Sequence, residues 1–302
     1  MSFHFIPVRW FDKNTVKHLR LPFSFFLMPV FLFALSQSNI IKWTDTLLAF
    51  FILHALVFPS SNGYNSYQDR DESSIGGLKY PPKVTVHLYY ATLLMDIAAI
   101  LLGMLISAWF SLMVFVFVII SRAYSYREIR LKKYPFAGFL TVFLFQGAFV
   151  YLMSATAVSG FNIQDILSPA SIICMAVSSL FIGSIYPLTQ IYQHQADKND
   201  GVISLSYKLG YTGTFIFSGI LFSLAVLLLL YYFNQKQQIT PLILFLLMML
   251  PVIVRLSVWF AKVRKDAAQA DFDNTMAINM LTSSVMNLYF LLLIINRYGN
   301  WF

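Results

Sequence analysis

Cysteine is almost missing from this sequence. Cys174 is the only one in 302 residues, so neither a disulfide framework nor a thiolate metal site can be built. Charge is scarce as well: charged residues make up 11% and the acids number only 13. An ordinary soluble domain carries about 25% charged residues, so a water-soluble globule is excluded. No signal peptide is expected, because Arg9, Asp12, Lys13, Lys17 and Arg20 interrupt the N-terminal segment before any apolar run. There is no soluble basic domain and no base-stacking platform. The formal net charge of +8 therefore reads as topology and attraction to anionic lipid headgroups, and no nucleic-acid partner is expected.

What the sequence has in abundance is apolar length. Hydrophobic residues make up 58%, aromatic residues 17%, and the mean hydropathy is +0.68. A hydrocarbon core about 30 Å thick needs about 20 apolar residues per helix. Runs centred near Met28, Phe51, Leu94, Phe115, Phe145, Met175, Leu224, Leu247 and Leu288 predict nine spans. The fold class is all-α, a polytopic nine-helix bundle forming one integral membrane domain over residues 1–302.

Charge asymmetry orients the bundle. With a cytoplasmic N-terminus, only Lys42, Lys236 and Arg297 of the 21 Lys and Arg fall on outside segments. This is a positive-inside pattern, expected of a bacterial inner membrane protein. Four inside loops follow, near residues 60–85, 122–135, 190–208 and 262–275.

The first loop gathers acid where acid is rare. In Asn62-Gly-Tyr-Asn65-Ser-Tyr-Gln-Asp69-Arg70-Asp71-Glu72, three acids fall within four positions. If the segment is helical, Asn62, Asn65 and Asp69 share a face, and that face carries oxygen donors suited to Mg²⁺. The third loop holds Tyr192, Gln193, His194, Asp197, Lys198 and Asp200; the second holds Tyr124, Arg127, Arg130, Lys132 and Lys133. Carboxylates for metal and Lys or Arg for phosphate on one membrane face suit a metal-bridged diphosphate. A cavity open to that face would receive it, with the apolar bundle beneath for a hydrocarbon tail.

Each piece also has an ordinary reading. Loop acids beside Lys and Arg are commonly solvated charges, the basic run is positive-inside anchoring, and the tyrosines belong to an interfacial belt. His194 is an ordinary loop side chain or, with Asp197 three residues on, a chelator. Asp96, in the third span, faces a cavity or a partner, or is protonated and structural.

In order and spacing these motifs resemble the UbiA superfamily of intramembrane prenyltransferases. The family's Asn-Asp-x-x-Asp motif is similar to Asn65-Ser66-Tyr-Gln-Asp69, its Tyr-Ser…Lys-Arg…Gly stretch to Tyr124-Ser125…Lys132-Lys133…Gly138, and its Asp-x-x-x-Asp motif to Gln193-His-Gln-Ala-Asp197. Ser66, Ser73 and Gln193 depart from the family's carboxylates, with Asp71, Glu72 and Asp200 near enough to compensate.

The resemblance implies Mg²⁺-dependent transfer of a prenyl group from an isoprenyl diphosphate to an aromatic quinone-precursor or lipid acceptor within the membrane. It implies metal ligands among Asn65, Asp69, Asp71, Gln193, Asp197 and Asp200. Lys132 or Lys133, with Arg70 and Lys79, would clamp the diphosphate, and Tyr67, Tyr124 or Tyr192 would shield an allylic cation. Asn62 and Asp96 complete the expected substrate-binding set. Ile203 stands where the family's 4-hydroxybenzoate branch has a basic residue, which argues against a benzoate acceptor.

Two other readings stay open. One is a catalytically lapsed isoprenoid-lipid binder, favoured by Gln193; the other is a cation-coupled transporter using Asp96, His87 and the acidic loops. At the C-terminal end, Asp273 or Asn274 is expected to cap the ninth helix, and Tyr298 to Phe302 to anchor the chain at the outer interface.

Overall fold

The computed structural model describes residues 11–160 and 162–299. Among them, nine helices are long and apolar enough to cross a membrane: α1 (Lys13–Gln37), α2 (Trp43–Asp69), α3 (Val86–Gly103), α4 (Ala108–Ser125), α5 (Pro135–Ser159), α6 (Pro169–Asn199), α7 (Leu205–Gln235), α8 (Ile239–Lys265) and α9 (Phe272–Arg297). All nine expected centres fall inside them. The residues expected as an outer anchor, from Tyr298 on, lie largely outside the described residues.

Helix starts follow local chemistry. Ser107, Ser168 and Ser204 cap α4, α6 and α7, accepting from the backbone N–H groups of Phe110, Ser171 and Tyr207 at 3.0, 3.2 and 3.2 Å. Pro135 and Pro169 open α5 and α6, where a missing N–H has no cost. At α9 the capping side chain is neither Asp273 nor Asn274. Asp271 accepts from the Asn274 N–H at 2.7 Å, because an Asx side chain reaches the N–H three residues on.

Consecutive helices pack side by side, and α9 returns to α1, so the bundle closes into a ring. Its inward surfaces are filled by Phe33, Phe110, Phe245, Tyr289 and Phe290, all buried. Leu101, Leu227 and Val254 point outward, where hydrocarbon would meet them. In lipid, helices associate through close packing and interhelical hydrogen bonds more than through hydrophobic drive. The contact between α5 and α6 shows this. A Cβ on Gly147 would lie 2.4 Å from the Ser179 Cα, so only glycine admits the neighbouring backbone.

Two helices loosen into π-turns, at Ile52–Val57 in α2 and Phe143–Phe149 in α5. In α2 the Phe58 N–H bonds back five residues to the Leu53 carbonyl just before Pro59, which has no N–H to continue an α-helical ladder. In α5 the Ser179 hydroxyl accepts from the Ala148 N–H at 3.0 Å, satisfying a backbone group within the π-turn.

The polar motifs lie on helix more than in loop. α2 runs on through Asp69 and α6 through Asn199, past the limits expected from hydropathy. The reason is packing: Ser60, Tyr64 and Ser66 are buried against neighbouring helices, so the polar turns remain helical.

Candidate active site

On the side where α2, α4 and α6 end, a cavity of about 240 Å³ enters the bundle. Its lining along α2 runs from Asp69 through Asn65 and Asn62 to Phe58. The eleven steps between them carry the wall about 16 Å deeper at about 1.5 Å per residue. Acids and amides therefore sit at the mouth, with Phe58, Phe117, Phe145 and Ile182 further in.

The mouth is assembled from three chain segments. Helix α2 ends at Arg70, whose left-handed backbone (φ 55°) lets its N–H bond the Ser66 carbonyl. The face expected for Asn62, Asn65 and Asp69 is the one that meets the cavity. The Asn65 amide donates to Asp69 Oδ2 at 2.9 Å and to Ser125 Oγ at 3.1 Å, fixing that carboxylate against α4.

The second segment is the basic turn after α4. Its short 3₁₀ turn, Leu131–Lys133, begins at Arg130 in the left-handed region (φ 47°), so Arg130 and Lys132 both reach back to buried Asp69. The Arg130 Nη2 lies 3.2 Å from Asp69 Oδ1, and the Lys132 ammonium pairs with Asp69 Oδ2.

The third segment follows α6. A helix stretch from His194 to Asn199 is stopped by Gly201 (φ 71°), with the Val202 N–H on the Asp197 carbonyl at 2.8 Å. This is the paired C-terminal closure that glycine permits, and it presents Asp197 and Asp200 to the cavity. Arg130 ties this segment to the others. It bonds the Asp200 carbonyl at 3.1 Å and pairs with the Asp200 carboxylate. The Ile203 N–H bonds the Lys133 carbonyl at 3.3 Å.

Asp71 lines the mouth beside them, and burial, then the neighbouring Asp69 carboxylate, pushes it up to about 6. Asp197 makes no ion pair among the described residues.

Several residues that sequence reasoning left out of the site belong to the cavity. Arg20, counted there only as an inside charge, is buried with its guanidinium on the Asn62 carbonyl at 2.8 Å and the Gly76 carbonyl at 3.0 Å. The signal was a lone Arg just ahead of the Leu-Pro-Phe of an apolar run. Arg130 was visible only as one of a basic series. Tyr186 and Gln190 join Tyr124 in a chain: the two tyrosine hydroxyls are 2.5 Å apart, and the Gln190 amide donates to the Tyr186 oxygen at 2.9 Å. Gln146 and Asn279 also line the cavity.

Other expected residues stand elsewhere. Lys79 pairs on the exposed surface with Asp273 at 2.6 Å. Arg70 lies over the Tyr67 ring, which packs on Tyr89, and Lys133 lies over Tyr134. None of these lines the cavity. His194 is turned away from Asp197: its Nε2 lies 2.8 Å from the Ser206 hydroxyl and its ring stacks on Tyr211.

Asp96 faces a partner, not the main cavity. It pairs with Arg122 and accepts from the Ser60 hydroxyl at 2.5 Å, while the Arg122 guanidinium lies 3.8 Å over the Tyr64 ring. Gln193 and Tyr192 do line the cavity, with the Gln193 amide 3.4 Å from the Ser74 carbonyl.

The donor set fits a hard divalent cation. It is all oxygen: Asp69, Asp71, Asp197 and Asp200 with the amides of Asn62, Asn65 and Gln193. No three His, Cys, Asp or Glu groups gather within ligating reach among the described residues. Separated carboxylates of this kind suit Mg²⁺, which keeps several waters and takes substrate phosphates as ligands.

A family model of the UbiA prenyltransferase family matches residues 24–281, and the chain belongs to that family. Solved structures share the fold at low identity. A UbiA homologue from Archaeoglobus fulgidus bound to GPP and Mg²⁺ is 16% identical, covering 93% of this chain and 99% of its own, with a TM-score of 0.67. An apo UbiA homologue from Aeropyrum pernix K1 is 15% identical over 92% of this chain and 98% of its own, with a TM-score of 0.65. A digeranylgeranylglyceryl phosphate synthase is 19% identical, covering 94% and 97%, with a TM-score of 0.59. No curated protein matches the sequence.

Proposed function

We propose that this protein transfers a prenyl group from an isoprenyl diphosphate to a hydrophobic or aromatic acceptor within the membrane. The observation that carries this reading is one cavity with four aspartates and two cations, buried Arg20 and partly buried Lys132, at its mouth and phenylalanines along its depth. That gradient fits a molecule with a diphosphate head and a hydrocarbon tail.

Asp69, Asp71, Asp197 and Asp200, aided by Asn65 and Gln193, would hold Mg²⁺. When bound, Mg²⁺ neutralises charge on the diphosphate and makes it a better leaving group. Lys132 and Arg20 stand at the mouth to bind diphosphate oxygens by charge-assisted hydrogen bonds. Asn65 and Arg130 hold Asp69 in place. As the allylic C1–O bond breaks, the electron pair leaves with the diphosphate, and the Tyr124 and Tyr186 rings that line the cavity would shield the positive carbon. The acceptor then bonds to C1, and the proton it loses leaves with the diphosphate. The closed apolar bundle keeps bulk water from that carbon.

The readings in which Asp96 serves a cation path draw no support from its place, since Asp96 is paired with Arg122 away from this cavity. The positive-inside pattern of the sequence would face the mouth to the cytoplasm.

The test is binding of geranyl, farnesyl and geranylgeranyl diphosphate to purified protein with and without Mg²⁺, beside Asp69→Asn and Asp197→Asn. Mg²⁺-dependent binding that both substitutions abolish is expected. Folded protein that binds none of the three would overturn the proposal.

A further inference from the structure

On the outer surface of the bundle, α5 and α7 meet over α6 in a seam that starts at the end where the mouth opens. We propose that this seam binds an acidic glycerophospholipid, the Lys133 and Lys208 ammonium groups taking its phosphate and the seam taking an acyl chain. Neither lysine lines the cavity, so the inference stands apart from the prenyl-transfer reading.

Contacts between the helices build the seam. At its head the Ile203 N–H bonds the Lys133 carbonyl at 3.3 Å, which brings the start of α5 against the start of α7. The Lys208 ammonium lies 5.0 Å from the centre of the Phe136 ring. A turn further along, the Phe139 and Phe217 rings meet edge to face at 5.4 Å. Beneath is Gly183 of α6. A Cβ there would lie 2.6 Å from Phe143 and 3.1 Å from Leu221, so this glycine lets both helices close over α6. Phe136, Leu140 and Leu144 recur every four residues along α5, as Ile216 and Ile220 do along α7, and all five are exposed. From Phe136 to Leu144 the apolar track is about 12 Å long, at about 1.5 Å per residue.

Any lipid tail covers such a track; the cations at its head select among lipids. Each ammonium lies over a ring, Tyr134 for Lys133 and Phe136 for Lys208, and has no carboxylate partner among the described residues. Their N–H donors are left for an outside acceptor. The acids of the adjoining segments face elsewhere. Asp69, Asp197 and Asp200 line the cavity, where Lys132 and Arg130 pair with two of them, and Glu128 bonds Tyr126. Lys198, over the Tyr207 ring, adds a third ammonium at the start of α7. Lys208 is moreover the fourth residue of α7, where the helix dipole opposes a cation. An anion beside it offsets that cost. A phosphate carrying acyl chains meets both needs of the seam, for negative charge at its head and hydrocarbon along its length.

General attraction of a basic surface to acidic lipid would act on every lysine at this end, and the experiment separates that effect from a site. Full-length protein in neutral detergent is mixed with equal amounts of phosphatidylglycerol and phosphatidylcholine of matched chains, and retained lipid is counted by native mass spectrometry. A preference for phosphatidylglycerol of roughly tenfold or more is expected of two cations at a membrane surface. Lys133→Gln with Lys208→Gln should remove most of that preference. Lys262→Gln with Lys265→Gln, exposed at the same end on α8, should keep it. Thermal midpoints in lipid-free detergent are expected to match the parent's in both. Absence of a preference in the parent, or equal loss in the two double variants, overturns the inference. So does release of the lipid by glycerol 3-phosphate at the lipid's own concentration, because the headgroup alone would then suffice.

Discussion

The Lys132 ammonium and the Asp69 carboxylate form a partly buried ion pair across 63 residues of sequence. The pair joins the turn after α4 to the end of α2, and it sets the chemistry of the cavity mouth. In the proposed reaction Lys132 has a second partner in the diphosphate. Lys132→Met is therefore expected to weaken geranyl diphosphate binding by at least tenfold, read by equilibrium titration in detergent. The exposed Lys79–Asp273 pair is the control. Exposed pairs contribute little, so Lys79→Met is expected to leave both binding and thermal midpoint unchanged.

Arg130 is mostly buried and shared between Asp69 and Asp200. Removing one member of a buried charge network leaves the others uncompensated, at about 3–5 kcal/mol. Arg130→Met should lower the thermal midpoint by several degrees. Adding Asp200→Asn should recover part of that loss. Strict additivity of the two changes would show that the pair is not coupled.

Asp96 and Arg122 make a comparable test within the membrane. Arg122→Met strands a buried carboxylate and is expected to destabilise by about 3–5 kcal/mol. The double variant Asp96→Asn, Arg122→Met should regain most of it. Because the pair stands outside the main cavity, the double variant should bind geranyl diphosphate as the parent does. A selective loss of binding in well-folded double variant would place Asp96 in the substrate site after all.

Gly147 and Gly201 separate two reasons for glycine. At Gly147 the obstacle is Ser179 backbone 2.4 Å from an added Cβ, so α5 and α6 must move apart. Gly147→Ala should destabilise by about 1–3 kcal/mol, as overpacking does. At Gly201 there is open space but a φ of +71°. Gly201→Ala should cost about 1–2 kcal/mol, the penalty of a left-handed backbone. It should also loosen diphosphate binding, since this turn presents Asp197 and Asp200. Thermal midpoints and titrations of both variants check the contrast.

Much of the molecule was legible in the chain. The nine spans were, because the length and hydropathy of a helix are local properties of about 20 consecutive residues. So was the face shared by Asn62, Asn65 and Asp69, which follows from helical spacing alone. Asp71, Asp197 and Asp200 stood out through scarcity, since an acid in so apolar a sequence is conspicuous.

What the sequence could not sort was one cation from another. Arg20, Arg70, Lys79, Arg130, Lys132 and Lys133 all read as charges on one membrane face. Only the closed ring of helices turned Arg20 into the cavity, bent the 3₁₀ turn so that Arg130 and Lys132 point inward, and left Arg70, Lys79 and Lys133 outside. It likewise gave Asp96 to Arg122 and brought Gln190 to Tyr186 beside Tyr124. Span number comes from the local preference of each segment for lipid or water. Which side chains share a site depends on contacts between segments some 60–70 residues apart, and those exist only once the helices have packed.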